Sequence, residues 1–149
     1  MKAKDIMTKD VITVTKDATV ENVTELLIKN DISGVPVVNE DNEVIGMVTE
    51  TDLIFRDKDI HIPSYVPLLG GFILLESVKK FEKDLKKMAG YKVEDIMTTP
   101  VAKVYEDQEV KEVVNIMLNK KINRVPVIDK EGKLKGIIAR SDVLNYMKE

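Results

Sequence analysis

The hydrophobic residues near the start of the chain predict a strand followed by a helix. Residues 11–15 alternate in polarity and are rich in β-branched side chains, which is typical of a short strand. Apolar residues then recur at helical spacing over 20–27, so they share one face of a helix. Asp17 and Thr19 are candidate caps at its start, and the Ser-Gly pair at 33–34 predicts its end.

Two short apolar runs follow this helix and predict a pair of buried strands. The runs cover 35–38 and 44–48, and the residues between them, 39–43, are polar and typical of a turn. A last helix is predicted to begin near residue 49 or 50. This stretch of the chain therefore has the order strand, helix, strand, strand, helix.

The whole pattern returns 90 positions later. The Asp-Ile-Met-Thr of 5–8 recurs at 95–98, and the Val-Pro-Val of 35–37 recurs at 125–127. Over 50 aligned positions, 15 residues are identical. The turn of the second copy contains Gly132, where a positive φ is expected. Since one such unit is too small to close a core alone, we expect the two copies to pack face to face with approximate twofold symmetry.

Residues 56–93 belong to neither copy. They contain an apolar run over 65–75 and then a predicted helix with one apolar stripe. The stripe consists of Val78, Phe81, Leu85 and Met88. We therefore expect three parts: a first repeat at 1–55, a helical connection at 56–93 and a second repeat at 94–149.

Composition narrows the class of protein. Of 149 residues, 44% are hydrophobic and 33% are charged, which is typical of a globular protein and excludes a disordered polar chain. Cysteine is absent, which excludes disulfides and a thiol nucleophile and favours the cytoplasm. The net charge of −3 argues against a nucleic-acid partner. The longest apolar run has 11 residues, too few for a membrane span, so no membrane partner is expected.

The sequence offers no set of residues suited to catalysis. It has no phosphate-binding glycine loop, no serine nucleophile elbow and no His-Glu-x-x-His motif. His61 is the only histidine, with Asp57 and Asp59 as its nearest acidic neighbours, and this is weak support for a metal site. We therefore expect neither an enzyme nor a metal centre.

The repeated unit is similar to a known family. Its Asp-Ile-Met-Thr start, its central Val-Pro-Val and the Gly-Met-Val-Thr-Glu-Thr-Asp at 46–52 resemble the CBS domain, the regulatory repeat of cystathionine β-synthase. Two tandem copies resemble a Bateman module, and with the connection they cover nearly the whole chain. The resemblance implies a mixed α/β fold of two β-α-β-β-α repeats related by pseudo-twofold symmetry. It also implies a homodimer that regulates a separate, unidentified target protein.

The same resemblance implies a regulatory ligand rather than a catalytic cofactor. The ligand would contain adenosine, as AMP, ADP, ATP or S-adenosylmethionine do, and would bind in clefts between the repeats. In the segment 46–52 a strand leads into a helix whose first amides suit a phosphate. Thr49 could add a hydroxyl donor there, and Asp52 could accept from the ribose hydroxyls. Thr-x-x-Asp is also a capping box, which stabilises a helix start with no ligand, so both interpretations stay open.

The second copy departs from this pattern. Ala139 replaces the threonine, whereas Asp142 keeps the carboxylate, so a phosphate would have to be held by Ser141, Arg140 or backbone amides. Arg124 stands where the first copy has glycine, and a guanidinium favours a di- or triphosphate. Residues 1–54 carry 11 acidic and 5 basic side chains, so the acidic character of the first copy adds to the contrast between the two copies. We expect two unequal clefts.

The resemblance implies that residues around the Asp-Ile-Met-Thr segments and before Val-Pro-Val line the adenine pockets. The first cleft would combine Thr49, Asp52, Thr99, Val101 and Val125. The second would combine Asp142, Lys9, Val11, Gly34 and Val35. The apolar members suit an ordinary protein core equally well. The alternative function is a homodimerising interaction module that binds no small molecule and uses the 65–75 run and the apolar stripe as its interface.

Overall fold

The computed structural model describes residues 1–56 and 91–148. The predicted helical connection, with its 65–75 run and apolar stripe, lies almost entirely outside the described residues. The first repeat contains helices α1 (Ala3–Ile6) and α2 (Val20–Asn30), strands β1 (Gly34–Val38) and β2 (Val44–Thr49), and helix α3 (Glu50–Arg56). The second contains α4 (Val93–Ile96), β3 (Val104–Tyr105), α5 (Val110–Lys120), β4 (Arg124–Ile128), β5 (Leu134–Ala139) and α6 (Arg140–Lys148). The predicted mixed α/β class is confirmed.

The predicted first strand is much shorter than the expected 11–15. Only Val14 pairs, in parallel with Val37, by donating its amide to the Pro36 carbonyl and accepting from Val38. Continuing the ladder toward the N-terminus would need an amide hydrogen on Pro36, which proline lacks. Strand β3 of the second copy is likewise only two residues long and pairs in parallel beside the second Val-Pro-Val.

The α2 helix begins as predicted but ends earlier. Thr19 is its N-cap, with the side-chain oxygen accepting from the Asn22 amide at 3.1 Å. The predicted end at residues 33–34 is wrong, because Asp31 already adopts the left-handed conformation, with φ of 53°, and closes the helix. Lys121 does the same after α5, with φ of 54°. Neither position uses the glycine that usually marks such an end.

The turns between the paired strands are built alike in both copies. The Oδ1 atom of Asn39 accepts from the amides of Asp41 and Glu43. In the second copy the carboxylate of Asp129 makes the equivalent two bonds. Gly132 has the predicted positive φ, at 85°. Strands β4 and β5 pair antiparallel on either side of this turn.

The chain divides into two compact units, each built from separated segments. The first-repeat unit contains Thr13–Val38 and Gly46–Thr99, and the second-repeat unit contains Met1–Ile12, Asn39–Ile45 and Pro100–Glu149. Each unit therefore includes the Asp-Ile-Met-Thr segment of the other repeat. The three-part division expected from the sequence follows the repeat and stays a prediction.

Each unit has buried apolar side chains from its helices and strands. In the second-repeat unit, Ala3 of α1 packs into one cluster with residues of α5, β4 and β5. Other members of that cluster are Val113, Met117, Val125, Val127 and Ile138. In the first-repeat unit, the buried residues include Val20, Val23, Leu27, Val37 and Val48. No helix in the part of the chain that the structure describes combines the length and apolarity needed to cross a membrane.

Candidate functional site

The Asp-Ile-Met-Thr segments are each attached to the strand that leads into the last helix of the other repeat. In the first-repeat unit, the Thr98 amide donates to the Met47 carbonyl at 2.8 Å and the reverse bond is 3.2 Å. In the second-repeat unit, Thr8 exchanges the same two bonds with Ile137, at 2.9 and 3.0 Å. Within each unit, the Asp-Ile-Met-Thr segment of one repeat therefore lies beside the strand that leads into the Asp52 or Asp142 helix of the other repeat.

This attachment explains the glycine in both strands. The methionine of each segment lies directly over the glycine, Met97 over Gly46 and Met7 over Gly136. A Cβ atom at Gly136 would lie 2.5 Å from the Met7 Sδ atom and 2.8 Å from the Thr8 carbonyl oxygen. Any larger residue would push the segment away from the strand, so the glycine has a packing role.

At the start of α3, Thr49 and Asp52 form the capping box that their spacing predicts. The Asp52 Oδ2 atom accepts from the Thr49 amide at 2.9 Å and from its hydroxyl at 3.3 Å. The Asp52 amide in turn donates to the Thr49 hydroxyl at 3.3 Å. The structural interpretation of this motif is therefore realised, whether or not a ligand also uses it.

The second carboxylate oxygen of Asp52 also has a partner. The Thr98 hydroxyl donates to Oδ1 at 2.6 Å, and Asp52 is only 8% exposed. A ligand hydroxyl at this oxygen must share it with the Thr98 hydroxyl or replace that bond. Thr98 was missed by the sequence reasoning, which selected Thr99. A threonine ends both Asp-Ile-Met-Thr segments, and this repetition is the signal that could have identified Thr98.

The equivalent carboxylate of the second copy is more open. Asp142 is half-buried, and its Oδ2 atom accepts from the Ala139 amide at 2.8 Å. Within residues 1–56 and 91–148, its other oxygen accepts no hydrogen bond, and the Thr8 hydroxyl does not reach it. The two aspartates therefore differ in how much of the carboxylate is available.

The residues just before Asp142 in the sequence have charged and hydroxyl side chains. Arg140 and Ser141 are exposed in the first turn of α6, and the Arg140 amide donates to the Asn123 carbonyl at 3.0 Å. Arg124 begins β4 and is half-buried. The second-repeat unit thus contains both guanidinium groups, those of Arg124 and Arg140, that the sequence predicts to favour a phosphate.

The apolar residues predicted to contact adenine differ in their exposure. Val35 and Val125 have 0% exposure and belong to the cores of their units, and Gly34 is buried beside Val35. Val11 and Val101 are half-buried and have surface to offer a ligand. Of these residues, Val11 and Val101 are therefore the ones with accessible surface, and contact of any of them with a ligand stays a prediction.

Each predicted cleft takes residues from both compact units. Thr49, Asp52 and the exposed Thr99 lie in the first-repeat unit, and their predicted partners Val101 and Val125 lie in the second-repeat unit. In the other grouping, Asp142, Val11 and the exposed Lys9 lie in the second-repeat unit, and Gly34 and Val35 lie in the first-repeat unit. These groupings stay predictions.

Among the residues that the structure describes, no group of three or more histidine, cysteine, aspartate or glutamate side chains is placed to hold a metal ion. His61, Asp57 and Asp59 lie outside the described residues.

Comparisons with known proteins agree with the duplicated unit. A family model described as CBS domain matches residues 3–59 and 93–149. The uncharacterized protein MJ1426 of Methanocaldococcus jannaschii is 33% identical over 154 residues, which cover 99% of this chain and 91% of that protein.

Two solved structures share the fold. CBSX2 of Arabidopsis thaliana in complex with AMP has a TM-score of 0.73 at 24% identity, covering 99% of this chain and 96% of that chain. The CBS domain pair of protein MJ0100, in complex with 5′-methylthioadenosine and S-adenosyl-L-methionine, has a TM-score of 0.70 at 25% identity, with the same coverage.

Proposed function

Because the chain belongs to the CBS-domain family, we propose that it is a regulatory module that binds an adenosine-containing ligand: AMP, ADP, ATP or S-adenosylmethionine. The observation that carries the proposal is the open carboxylate of Asp142 at the start of α6. The ligands named for the MJ0100 pair, which both contain adenosine, support this class. Such a ligand has two adjacent ribose hydroxyls, which a carboxylate can accept together.

The residues next to Asp142 suit the other end of a nucleotide. The first amides of a helix and its dipole favour an anion. The exposed Arg140 guanidinium adds a bidentate donor for phosphate, and Ser141 adds a hydroxyl. We expect nucleotides with more phosphate charge to gain more from Arg140 than uncharged adenosine does.

The Asp142 position should fill before the Asp52 position. At Asp52 the ligand must share an oxygen with the Thr98 hydroxyl or displace its 2.6 Å bond, whereas Asp142 has an oxygen that accepts no hydrogen bond from the described part of the chain. Exchanging one hydroxyl for another at Asp52 returns little free energy, because the bond gained replaces a bond lost. This is the physical basis for two unequal sites.

A thermal-shift titration of the purified protein tests the proposal. Each of the four adenosine compounds is added up to millimolar concentration, with GMP and ribose 5-phosphate as controls for the base. Binding at a hundredfold excess over Kd stabilises the folded state by about 2.7 kcal/mol. Asp142→Asn should remove most of the shift, and Asp107→Asn, an exposed aspartate that forms an ion pair with Lys4, should keep it. If no adenosine compound raises the Tm, ligand sensing is wrong.

The alternative is a homodimerising module that binds no small molecule. The closed capping box of Thr49 and Asp52 favours it, since these residues have a complete structural role without a ligand. Under that alternative, Asp142→Asn changes stability but no titration shows saturation. The titration above therefore separates the two functions.

The remaining features of the proposal concern how the ligand signal is used. We expect the chain to have no catalytic activity, to pair with a second copy and to act on a separate target protein in the cytoplasm. The absence of cysteine agrees with a reducing compartment.

A further inference from the structure

The two aspartates at the helix starts differ in how many further hydrogen bonds they can accept. An ionised carboxylate has about four acceptor positions, two on each oxygen. At Asp52 the protein already supplies three donors: the Thr49 amide and the Thr49 hydroxyl bind Oδ2, and the Thr98 hydroxyl binds Oδ1. The Asp52 carboxylate therefore has room for at most one further donor from a ligand.

Asp142 has a larger remaining capacity. Its Oδ2 atom accepts from the Ala139 amide at 2.8 Å, which is the one bond that the described part of the chain donates to this carboxylate. Ala139 has no hydroxyl that could add a second bond, and the Thr8 hydroxyl does not reach Asp142. About three acceptor positions therefore remain at Asp142 when only the described residues are counted.

Burial increases the contrast between the two carboxylates. Asp52 is 8% exposed, whereas Asp142 is half-buried and keeps part of its surface accessible. The 2.6 Å bond from Thr98 is short and charge-assisted, so a ligand hydroxyl that displaces it gains little. A second ligand hydroxyl thus finds an acceptor at Asp142 but not at Asp52.

A ribose needs two acceptor positions, since its 2′ and 3′ hydroxyls lie on adjacent carbon atoms. On the basis of the proposed function, we propose that Thr98 is a specificity-determining residue. Its hydroxyl occupies Oδ1 of Asp52 and limits that position to one ribose hydroxyl, whereas Asp142 accepts both. The Asp142 position therefore discriminates ribonucleotides from deoxyribonucleotides, and the Asp52 position does not.

The discrimination comes from the bond that is lost when one hydroxyl is missing. At Asp142 a 2′-deoxyribose leaves unused an acceptor position that a ribose fills, so one charge-assisted bond is lost. At Asp52 the remaining hydroxyl takes the only position there is, so the missing hydroxyl costs nothing. Because Asp142 is half-buried, water partly replaces the lost bond, and the loss of affinity is about tenfold rather than the larger factors of closed sites.

Calorimetric titrations with ATP and 2′-deoxy-ATP measure this difference. The tighter binding phase of the wild type reports the Asp142 position, and the Asp142→Asn variant leaves only the Asp52 position. We expect 2′-deoxy-ATP to bind about tenfold more weakly than ATP at Asp142 and within about twofold of ATP at Asp52. The analogue 2′,3′-dideoxy-ATP has neither hydroxyl and should bind more weakly than ATP at both positions. AMP and 2′-deoxy-AMP replace the triphosphates if ATP gives no signal.

Thr98→Val separates a role in specificity from a role in stability. In the Asp142→Asn background it opens Oδ1 of Asp52, so the ratio of the Kd values for 2′-deoxy-ATP and ATP should rise from near one to about ten. A merely structural role of Thr98 would change both Kd values by the same factor. Thr98→Ser keeps the hydroxyl and should keep the low ratio. Thr8→Val is the matched control in the other unit, and it should leave the ratio at Asp142 unchanged.

Three results would overturn the proposal. They are equal ratios at the two positions of the wild type, a ratio near one after Thr98→Val, and an Asp52 position that binds neither ATP nor AMP. The wild-type comparison needs no variant, so it holds even if a double variant does not fold. Failure of the proposed function looks different, because then none of the four adenosine compounds raises the Tm, whereas the first two results require binding.

Discussion

The Thr98 hydroxyl donates a 2.6 Å hydrogen bond to Oδ1 of Asp52. This bond joins the Asp-Ile-Met-Thr segment of the second repeat to the last helix of the first. The carboxylate that a ligand would use is therefore already occupied by the protein. Under the proposed function, a ribose hydroxyl shares this oxygen with Thr98 or competes with Thr98 for it. Ligand binding that displaces Thr98 would release one of the bonds that attach the segment, which gives occupancy a structural consequence.

Replacing Thr98 with valine should lower stability and open Asp52. Valine keeps the shape of threonine but removes the donor, so a nearly buried carboxylate loses a charge-assisted bond. We expect the free energy of unfolding to fall by about 1–2 kcal/mol, measured by urea denaturation. The same variant should strengthen ligand binding at Asp52, seen by calorimetry in the Asp142→Asn background.

Thr8→Val is the matched control for this prediction. Thr8 holds the equivalent position in the second-repeat unit, and its hydroxyl forms no hydrogen bond with the described residues. We expect a change below about 0.5 kcal/mol, as for substitutions that break no specific contact. Equal losses in Thr8→Val and Thr98→Val would show that the Thr98 bond has no special importance.

Alanine at Gly136 should destabilise the protein more than alanine at Gly46. The added methyl group at Gly136 meets the Thr8 carbonyl at 2.8 Å as well as the Met7 side chain, and a backbone atom cannot move alone. At Gly46 the three nearest atoms all belong to the side chain of Met97, which is flexible. We expect losses of about 2–3 kcal/mol at Gly136 and about 1 kcal/mol at Gly46 in urea denaturation.

A double-mutant cycle tests whether the Met97 side chain causes the loss of stability in Gly46→Ala. Shortening Met97 to alanine removes the side chain that the new methyl group would meet at Gly46. Gly46→Ala should therefore cost less in the Met97→Ala background than in the wild type. Additive losses would mean that the strand, and not Met97, resists the substitution.

The sequence predicts the local elements well because their signals are local. Thr19 caps α2, and Gly132 adopts its positive φ, as the patterns indicate. The end of α2 was missed because Asp31 takes the left-handed conformation that the rule assigns to glycine. The first strand is short because Pro36 has no amide hydrogen to donate. This shortens the strand only because Pro36 lies opposite it, and the sequence does not reveal that pairing.

The candidate site depends more on contacts that no spacing reveals. The capping box of Thr49 and Asp52 is visible in the sequence, since its residues are three apart. The bond from Thr98 is not, because 46 residues separate donor and acceptor. The exchange of Asp-Ile-Met-Thr segments between units is likewise invisible to periodicity, which describes an element but not its partner.

Ala139→Thr should restore the cap that the second copy lacks. In the first copy the Thr49 hydroxyl accepts from the Asp52 amide, and Ala139 has no side-chain oxygen that could accept from the Asp142 amide. We expect the free energy of unfolding to rise by about 0.5–1.5 kcal/mol in urea denaturation. Ala139→Val controls for the β-branched side chain at the end of β5, and an equal gain in that variant would contradict a capping effect.

Asp129→Asn should make the protein more resistant to acid than the wild type. Amide hydrogen bonds, chiefly from Lys133 and also from Glu131, lower the pKa of the Asp129 carboxyl below its usual range. A group with a lowered folded pKa contributes stability that is present above its unfolded value of about 3.9 and is lost as the pH falls through the folded pKa. Asparagine accepts the same two bonds and does not titrate, as Asn39 shows in the first copy.

The measurement is the difference in unfolding free energy between the two proteins from pH 7 down to pH 2. The difference should be constant above about pH 5 and should shift in favour of Asp129→Asn below about pH 4, where only the wild type takes up a proton at this turn. Asn39→Asp is the reciprocal variant, and it should make the first turn sensitive to acid in the same range. Parallel pH curves for wild type and both variants would contradict the assignment, since the turn carboxylate would then contribute nothing that depends on its charge.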